Sequence, residues 1–252
     1  MKLLPRLFSR RPAFSAALAP DQAFYAVGDV HGCDAQLERM LDTLAAGGHP
    51  TAALVMVGDY IDRGDESAAV LSRLFEIQQA APQGQMICLK GNHEAMLLAF
   101  LDDPARNGPR WMRHGGLQTL ASYRIAPPMR PDPADAWHAA RDQLRAALGE
   151  DLELWLKALP TRWQSGNVLV AHAGAQPTLP VEAQPEDALL WGHPDFLTRC
   201  RTDGLWVVYG HYITDNPEPA DGRIPVDSGA YATGRLTAAL VEPGKASYIH
   251  SE

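Results

Sequence analysis

AALVMVGDYIDRG, residues 52–64, is an apolar run that stops abruptly on a glycine and an acidic residue. A short run of aliphatic residues bounded by Gly reads as a buried strand, and Asp59 stands where that strand ends. The same arrangement returns on both sides: AFYAVGDVHG at 23–32, QMICLKGNHE at 85–94, NVLVAHAG at 167–174 and LWVVYGH at 205–211. Buried parallel strands deliver whatever follows them to one rim of a sheet, so Asp29, His31, Asp59, Asn92, His172 and His211 are expected to converge there. Oxygen and imidazole donors gathered in this way would repel one another or stay unpaired without cations, which points to a metal centre. A donor set with no thiolate suits Mn, Fe or Zn rather than a Cys-type structural zinc.

The segments between the runs are helical in period. CDAQLERMLDTLAA puts Leu37, Met40, Leu41 and Leu44 on one side, ESAAVLSRLFEIQQA does the same with Val70, Leu71, Leu74 and Ile77, and HEAMLLAFLDD continues the pattern. Strand, helix, strand, helix, strand is the signature of parallel βαβ units, hence an α/β fold. From about 102 to 160 the pattern changes to a helical insertion. It holds WMRHGGLQTLASY, a Pro-rich surface loop APPMRPDPAD, and a helix from Ala136 to Leu159 broken near Gly149. An insertion between the third and fourth strands can overhang the rim and is the expected place for substrate selection. Beyond His211, the segments RIPVDSGAY, GRLTAALVEP and KASYIHS read as short antiparallel strands that close the domain. The expected organisation is a flexible basic leader over 1–20 and a single domain over 21–252.

At 252 residues, 46% hydrophobic and 21% charged, the chain suits one large globular domain. A net charge of -8 excludes a surface built to grip duplex nucleic acid, which needs a basic face. Cys33, Cys88 and Cys200 are an odd, widely spaced set that argues for buried thiols in a reducing, cytoplasmic compartment. Lys2, Arg6, Arg10 and Arg11 beside Leu3, Leu4, Leu7 and Phe8 allow a weak membrane-surface helix. A frayed leader is the stronger reading, because Pro5 and Arg6 break the apolar part. No run is long enough to span a bilayer as a helix.

Asp29 and His31 are two apart, so an extended backbone would send both side chains to one ion. Asp59 has two carboxylate oxygens and could bridge two ions, although an Asp at that place can also cap the following helix. Asn92 supplies a neutral oxygen, while His93 beside it would face elsewhere on a strand and serve another purpose. A lone histidine at a strand end is most often structural. For His172 and His211 the repeated context raises the expectation of ligation.

Taken together and in order, GDVHG, GDYIDRG, GNHE, AHAG and YGH resemble the bacterial branch of the serine/threonine phosphoprotein phosphatases, within the calcineurin-like metallophosphoesterases. The resemblance runs from Phe24 to Pro243 and includes VDSGAYATGRLTAALVE. It implies a four-layer α-β-β-α sandwich, two sheets face to face with helices outside. It also implies that Asp29, His31 and Asp59 hold one divalent ion and that Asp59, Asn92, His172 and His211 hold the other, with Mn favoured over Fe or Zn. Arg63 and Asn92 would bind phosphate oxygens, and His93, oriented by Asp62, would protonate the leaving alkoxide after direct attack by a hydroxide held between the ions. One departure stands out. Many relatives carry an arginine two residues after a tryptophan as a second phosphate clamp, whereas LLWGHPDFL has His193 there, leaving His193, Arg199 and Arg201 as candidates.

The function expected from these motifs is hydrolysis of phosphate monoesters, on phosphoserine or phosphothreonine proteins or small esters. The alternative is a symmetrical dinucleoside polyphosphate hydrolase. Enzymes of that type commonly lack the Asp-Arg-Gly triplet that Asp62, Arg63 and Gly64 supply, which tilts the sequence reading towards monoesters. A non-catalytic scaffold of the same fold is the weakest reading, since every matched ligand and His93 are kept.

Overall fold

The computed structural model describes residues 14–128 and 134–251. The chain begins as the periodicity predicts: β1 (Phe24–Val27), α1 (Asp34–Ala46), β2 (Ala53–Met56), α2 (Ser67–Ala80), β3 (Met86–Cys88) and α3 (Asn92–Asp102). The insertion follows as α4 (Pro104–Trp111), a π-type turn over Met112–Gly116, α5 (Leu117–Ser122), α6 (Ala134–Leu148) and α7 (Glu150–Ala158). The expected break at Gly149 lies between the last two helices, where its φ of 77° suits glycine. The chain then forms β4 (Arg162–Ser165), β5 (Val168–Ala171), α8 (Glu186–Trp191), β6 (Trp206–Tyr209), β7 (Arg223–Pro225), α9 (Ala230–Thr233), β8 (Leu236–Glu242) and β9 (Lys245–Ser251).

Two sheets result, ordered β3-β2-β1-β8-β9 and β4-β5-β6-β7. In the first, β1, β2 and β3 are mutually parallel and β8 and β9 are antiparallel to their neighbours. In the second, β5, β6 and β7 are parallel and only β4 runs against its neighbour. Two details differ from the sequence reading. β7, expected to be antiparallel, is parallel to β6, and β4 was not anticipated because RWQS offers no apolar run on a half-exposed edge.

Alternation explains how the sheets stack. Phe24, Ala26, Val55 and Val57 of the first sheet meet Val168, Val170, Val208, Ile224 and Val226 of the second in one buried cluster. The intervening residues Tyr25, Val27 and Met56 face outward and pack on the stripes of α1, α2 and α3. The outer face of the second sheet is covered by Leu189 of α8 and by Phe196. The insertion folds back along α3. Gly108 of α4 lies so close to the Trp137 ring of α6 that a Cβ there would come within 2.4 Å of it.

Part of the expected flexible leader is tied down. Phe14 packs edge-on against Trp206, whose indole nitrogen donates to the Ala16 carbonyl at 3.0 Å, and the Asn167 side chain bonds Ala17 and Ala19. These partners lie far along the sequence, so local composition carries no sign of them. The basic positions up to Arg11, and residues 129–133 of the Pro-rich loop, fall outside the described residues. Among the described residues, no helix is long and apolar enough to cross a membrane.

All three cysteines are free, with Cys33 and Cys88 buried and Cys200 half-buried. Burial pushes the Cys33 thiol up to about 11 and the Cys88 thiol up to about 12. Only a thiolate alkylates readily. Native protein treated with iodoacetamide near pH 8 is therefore expected to be modified at Cys200 first, as read by peptide mass spectrometry. Equal or faster modification of Cys88 would contradict the packing described.

Candidate metal centre

Six parallel strands end at one rim, three from each sheet, and each releases a polar residue there. Crowding at this seam explains the glycine before several of those residues. A Cβ on Gly28 would lie 2.0 Å from the Val226 carbonyl oxygen, and one on Gly210 would lie 1.9 Å from Asp29 Oδ1. Substituting either position would wedge the sheets apart where the donors meet.

Asp59 sits at the centre, 1% exposed. Its Oδ2 lies 3.5 Å from His31 Nε2 and 3.7 Å from His93 Nε2, and its Oδ1 lies 3.3 Å from His172 Nε2. Two groups of donors close enough to share an ion therefore meet on this one carboxylate: His31, Asp59 and His93, and Asp59, His172 and His211. The Asn92 Oδ1 joins the second group, 2.8 Å from His172 Nε2 and 3.0 Å from His211 Nδ1. Asp29 belongs to neither group. Its two oxygens accept the His211 amide at 3.2 and 3.0 Å.

The donors fit cations by their tautomers. His31 Nδ1 is 2.8 Å from the Ile61 carbonyl and His172 Nδ1 is 3.2 Å from the Val57 carbonyl. A ring nitrogen facing a carbonyl carries the proton, which leaves each Nε2 lone pair aimed inward. At His172 that lone pair then confronts the oxygens of Asn92 and Asp59, acceptor against acceptor, so a positive charge belongs between them. Protonation can supply it: burial favours the neutral ring, but Asp59 and then Asp29 raise His172 to about 9. His31 and His211 are pushed by burial to about 3 and about 4, and so stay neutral and able to ligate. Burial alone would raise the Asp59 carboxyl, but His172 and His93 hold it well below its usual range.

Strain concentrates here. Among the described residues, the non-glycine positions with positive φ include His31, Asp59, Asp62, Arg63 and His211. Such backbone persists where the surroundings impose it. For Asp59 the imposing group is Glu94, fully buried, whose oxygens accept the amides of Asp59 at 2.9 Å, Tyr60 at 2.8 Å and Gly91 at 2.8 Å. Burial, reinforced by Asp59, raises its carboxyl to about 7.

His93 and Arg63 form the other side of the centre. His93 Nδ1 is 2.6 Å from Asp62 Oδ2, and Asp62 is held in turn by Trp111 Nε1 at 2.9 Å and Thr119 Oγ1 at 2.6 Å. Burial raises the Asp62 carboxyl, an effect that the His93 hydrogen bond opposes. Burial would lower His93, but Asp59 and Asp62 keep it above its ordinary value. Arg63 Nη2 is 3.4 Å from His93 Nε2, and its guanidinium carbon lies 4.8 Å from the centroid of the Tyr231 ring.

Several placements correct the sequence reading. Asn92 and His93 open helix α3 rather than end a strand, so both can face Asp59. His31 has a φ of 47° and is not extended, so the same-face argument for Asp29 and His31 does not apply. Arg201 is spent inside the fold: it pairs with Asp203 and donates to the Gln176 and Leu179 carbonyls at 3.1 and 2.8 Å. Arg199 lines a separate cleft with Pro177 and Thr178. His193 turns its Nδ1 to the Asp195 amide at 3.1 Å and lines a cleft with Trp191. Five residues that shape the site have no role in the sequence reading: Glu94, Trp111, Thr119, Tyr231 and Asp227. Asp227 follows IPV at the end of β7 by the same rule as the other donors, but the antiparallel reading of that segment hid it. It is 3% exposed, and burial first, then Asp227, push the Asp29 carboxyl well above its usual range.

The calcineurin-like phosphoesterase family matches residues 23–215. The chain belongs to that family. Members bind two divalent metal ions, and the His and Asp cluster fits that requirement, with the metal's identity left open. Among curated relatives, the symmetrical bis(5'-nucleosyl)-tetraphosphatase of Paracidovorax citrulli is 33% identical over 171 residues, 66% of this chain and 49% of that protein. The chain thus spans about half the length of the first curated relatives it matches. The asymmetrical bis(5'-nucleosyl)-tetraphosphatase PrpE of Oceanobacillus iheyensis is 25% identical over 237 residues, 84% of this chain and 86% of that protein. Among solved structures, the cold-active protein-tyrosine phosphatase of a Shewanella species superposes with a TM-score of 0.59 at 19% identity, covering 98% of this chain and 88% of that one. That likeness shows the shared fold. The superfamily expected from the motifs is thereby shown, while the narrower serine/threonine phosphatase branch is not the one these curated relatives carry in their names.

Replacing Glu94 by Gln keeps one acceptor oxygen and turns an amide against a backbone N–H. Loss of one hydrogen bond to a buried charged group is worth about 1.5–3 kcal/mol. Glu94→Gln is expected to melt earlier by roughly 2–4 °C for each kcal/mol lost. An unchanged melting temperature would show that Glu94 does not hold the Asp59 turn.

Proposed function

We propose that this chain is a dinuclear-metal hydrolase that cleaves a phosphoanhydride bond of dinucleoside polyphosphates. The observation that carries the reading is the set of tetraphosphatase names among its curated relatives, symmetrical and asymmetrical alike. The Asp-Arg-Gly triplet, which on sequence alone favours monoesters, loses its weight in the structure. Asp62 is 0% exposed and its oxygens are taken by His93, Trp111 and Thr119, so it does not sort substrates directly.

In this reading Asp29, His31 and Asp59 contribute to one ion and Asp59, Asn92, His172 and His211 to the other, with Asp29 also accepting the His211 amide. Two divalent ions, when bound, supply a nucleophilic water near neutral pH and countercharge for the phosphoryl group. Arg63, steadied against Tyr231, faces the equatorial phosphoryl oxygens, where developing charge is met by preorganised donors. His93 stands ready to pass the proton on Nε2 to the leaving oxygen, and Asp62 fixes the ring and stabilises its charged form.

Monoester hydrolysis is kept as a second reading because of that His93–Asp62 pair. A nucleotide leaving group is already a weak base, whereas an alkoxide needs a proton. Mn-loaded protein should turn over diadenosine tetraphosphate with a higher kcat/KM than a phosphoseryl peptide. Chromatography of the products, ADP alone or ATP with AMP, then assigns the cut. Faster turnover of the peptide with no cleavage of the dinucleotide would overturn the proposal. His93→Asn is expected to lose about 10²–10⁴-fold on an alkyl phosphate and much less on p-nitrophenyl phosphate or the dinucleotide. Equal losses on all three would remove His93 as the acid.

A further inference from the structure

A cleft of about 470 Å³ opens between the end of α4 and the turn after α8. Its volume falls in the ordinary range for small-molecule sites. One wall carries Arg110 and the other carries Trp191, with the guanidinium carbon 4.7 Å from the centroid of the Trp191 ring. Asp187, Gln176 and His193 also line it.

Both walls are fastened to the centre itself. Trp111, next to Arg110, donates to Asp62, and Gly115 one turn later gives its carbonyl to the Arg63 amide at 3.4 Å. On the other wall, the Leu189 carbonyl accepts the amide of Ala173, the neighbour of His172, at 2.7 Å. Gly192 meets the Tyr212 hydroxyl so closely that a Cβ would lie 1.9 Å from it, and the Tyr212 ring packs edge-on against His211. The elements that form the cleft are thus the same ones that brace Asp62, Arg63 and the turns carrying His172 and His211.

Resting on the function proposed above, we infer that the cleft seats the nucleoside of the substrate, with its base stacked on the Trp191 indole and covered by the Arg110 guanidinium. The chemistry of the lining favours a base over a further phosphate. Trp191 is half-buried and held against the helical core, so its face is a fixed platform. Arg110 is exposed on a flexible side chain and can swing off the ring to admit a planar base, then close over it. Asp187 repels phosphate but accepts a hydrogen bond from an exocyclic amine, and Gln176 offers an amide of the kind that pairs with adenine.

Calorimetric binding of ADP and of inorganic pyrophosphate to the Mn-loaded full chain isolates the nucleoside, since both ligands carry the same two phosphorus atoms. Wild type should bind ADP more tightly by roughly 5- to 150-fold, the range for one base stacked on an aromatic side chain. Arg110→Ala, at an exposed position that leaves the core intact, should remove most of that preference and leave pyrophosphate affinity little changed. Trp191→Leu should do the same, and Trp191→Phe should retain part of it. No preference for ADP in the wild type, or an equal weakening of both ligands by Arg110→Ala, would overturn the inference, the second outcome making Arg110 a phosphate clamp. Turnover of diadenosine tetraphosphate by the wild type is scored separately. A protein that prefers ADP yet leaves the dinucleotide intact keeps the nucleoside seat and loses the proposed reaction. A protein that cleaves the dinucleotide but binds the two ligands equally loses only the seat.

Discussion

One carboxylate sets the terms for the rest of the molecule. Asp59 must remain ionised while 1% exposed, with one oxygen towards His31 and His93 and the other towards His172. An isolated carboxylate at that depth would take up a proton rather than stay charged. It stays charged because histidines from both sheets surround it. The two sheets are thus joined at their rim by the electrostatics of one residue as well as by the apolar cluster between them. The left-handed turn at Asp59, held by Glu94, is what allows a residue of the first sheet to reach donors of the second.

The fold was legible in the sequence where burial dictates composition. Parallel strands covered on both faces read as continuous apolar runs, and β1, β2, β3, β5 and β6 announce themselves through Val, Leu, Ile and Tyr. The polar residues that gather at the rim were legible for a related reason, because each stands within a few residues of the end of such a run. Legibility ended where partners are distant or the backbone is irregular. β4 is an edge strand with a polar composition, and the anchoring of Phe14 to Trp206 spans most of the chain. Asn92 and His93 lie on a helix, so a strand-face argument misjudged them. Trp111 and Thr119 could not be assigned to Asp62 from spacing, since a π-type turn and a short helix bring them there.

Arginine use divides the site from the scaffold. Arg201 is buried and committed to carbonyls and Asp203, so it stiffens the loop before α8. Arg63 and Arg110 each lie over an aromatic ring, Tyr231 and Trp191. A guanidinium on an aromatic face keeps its in-plane donors free, which suits groups meant to meet a charged ligand. The helical insertion contributes both Arg110 and the Trp111 bond to Asp62, so the segment that shapes the cleft also braces the His93–Asp62 pair.

The account depends on Asp59 bridging two cations, and anomalous diffraction from crystals grown with Mn tests it most directly. Two peaks are expected, one on the His31 side of the Asp59 carboxylate and one on the His172 and His211 side, about 3.5–4 Å apart as in other two-metal hydrolases. A single peak that does not touch Asp59, or no peak at this rim in saturating Mn, would contradict the account.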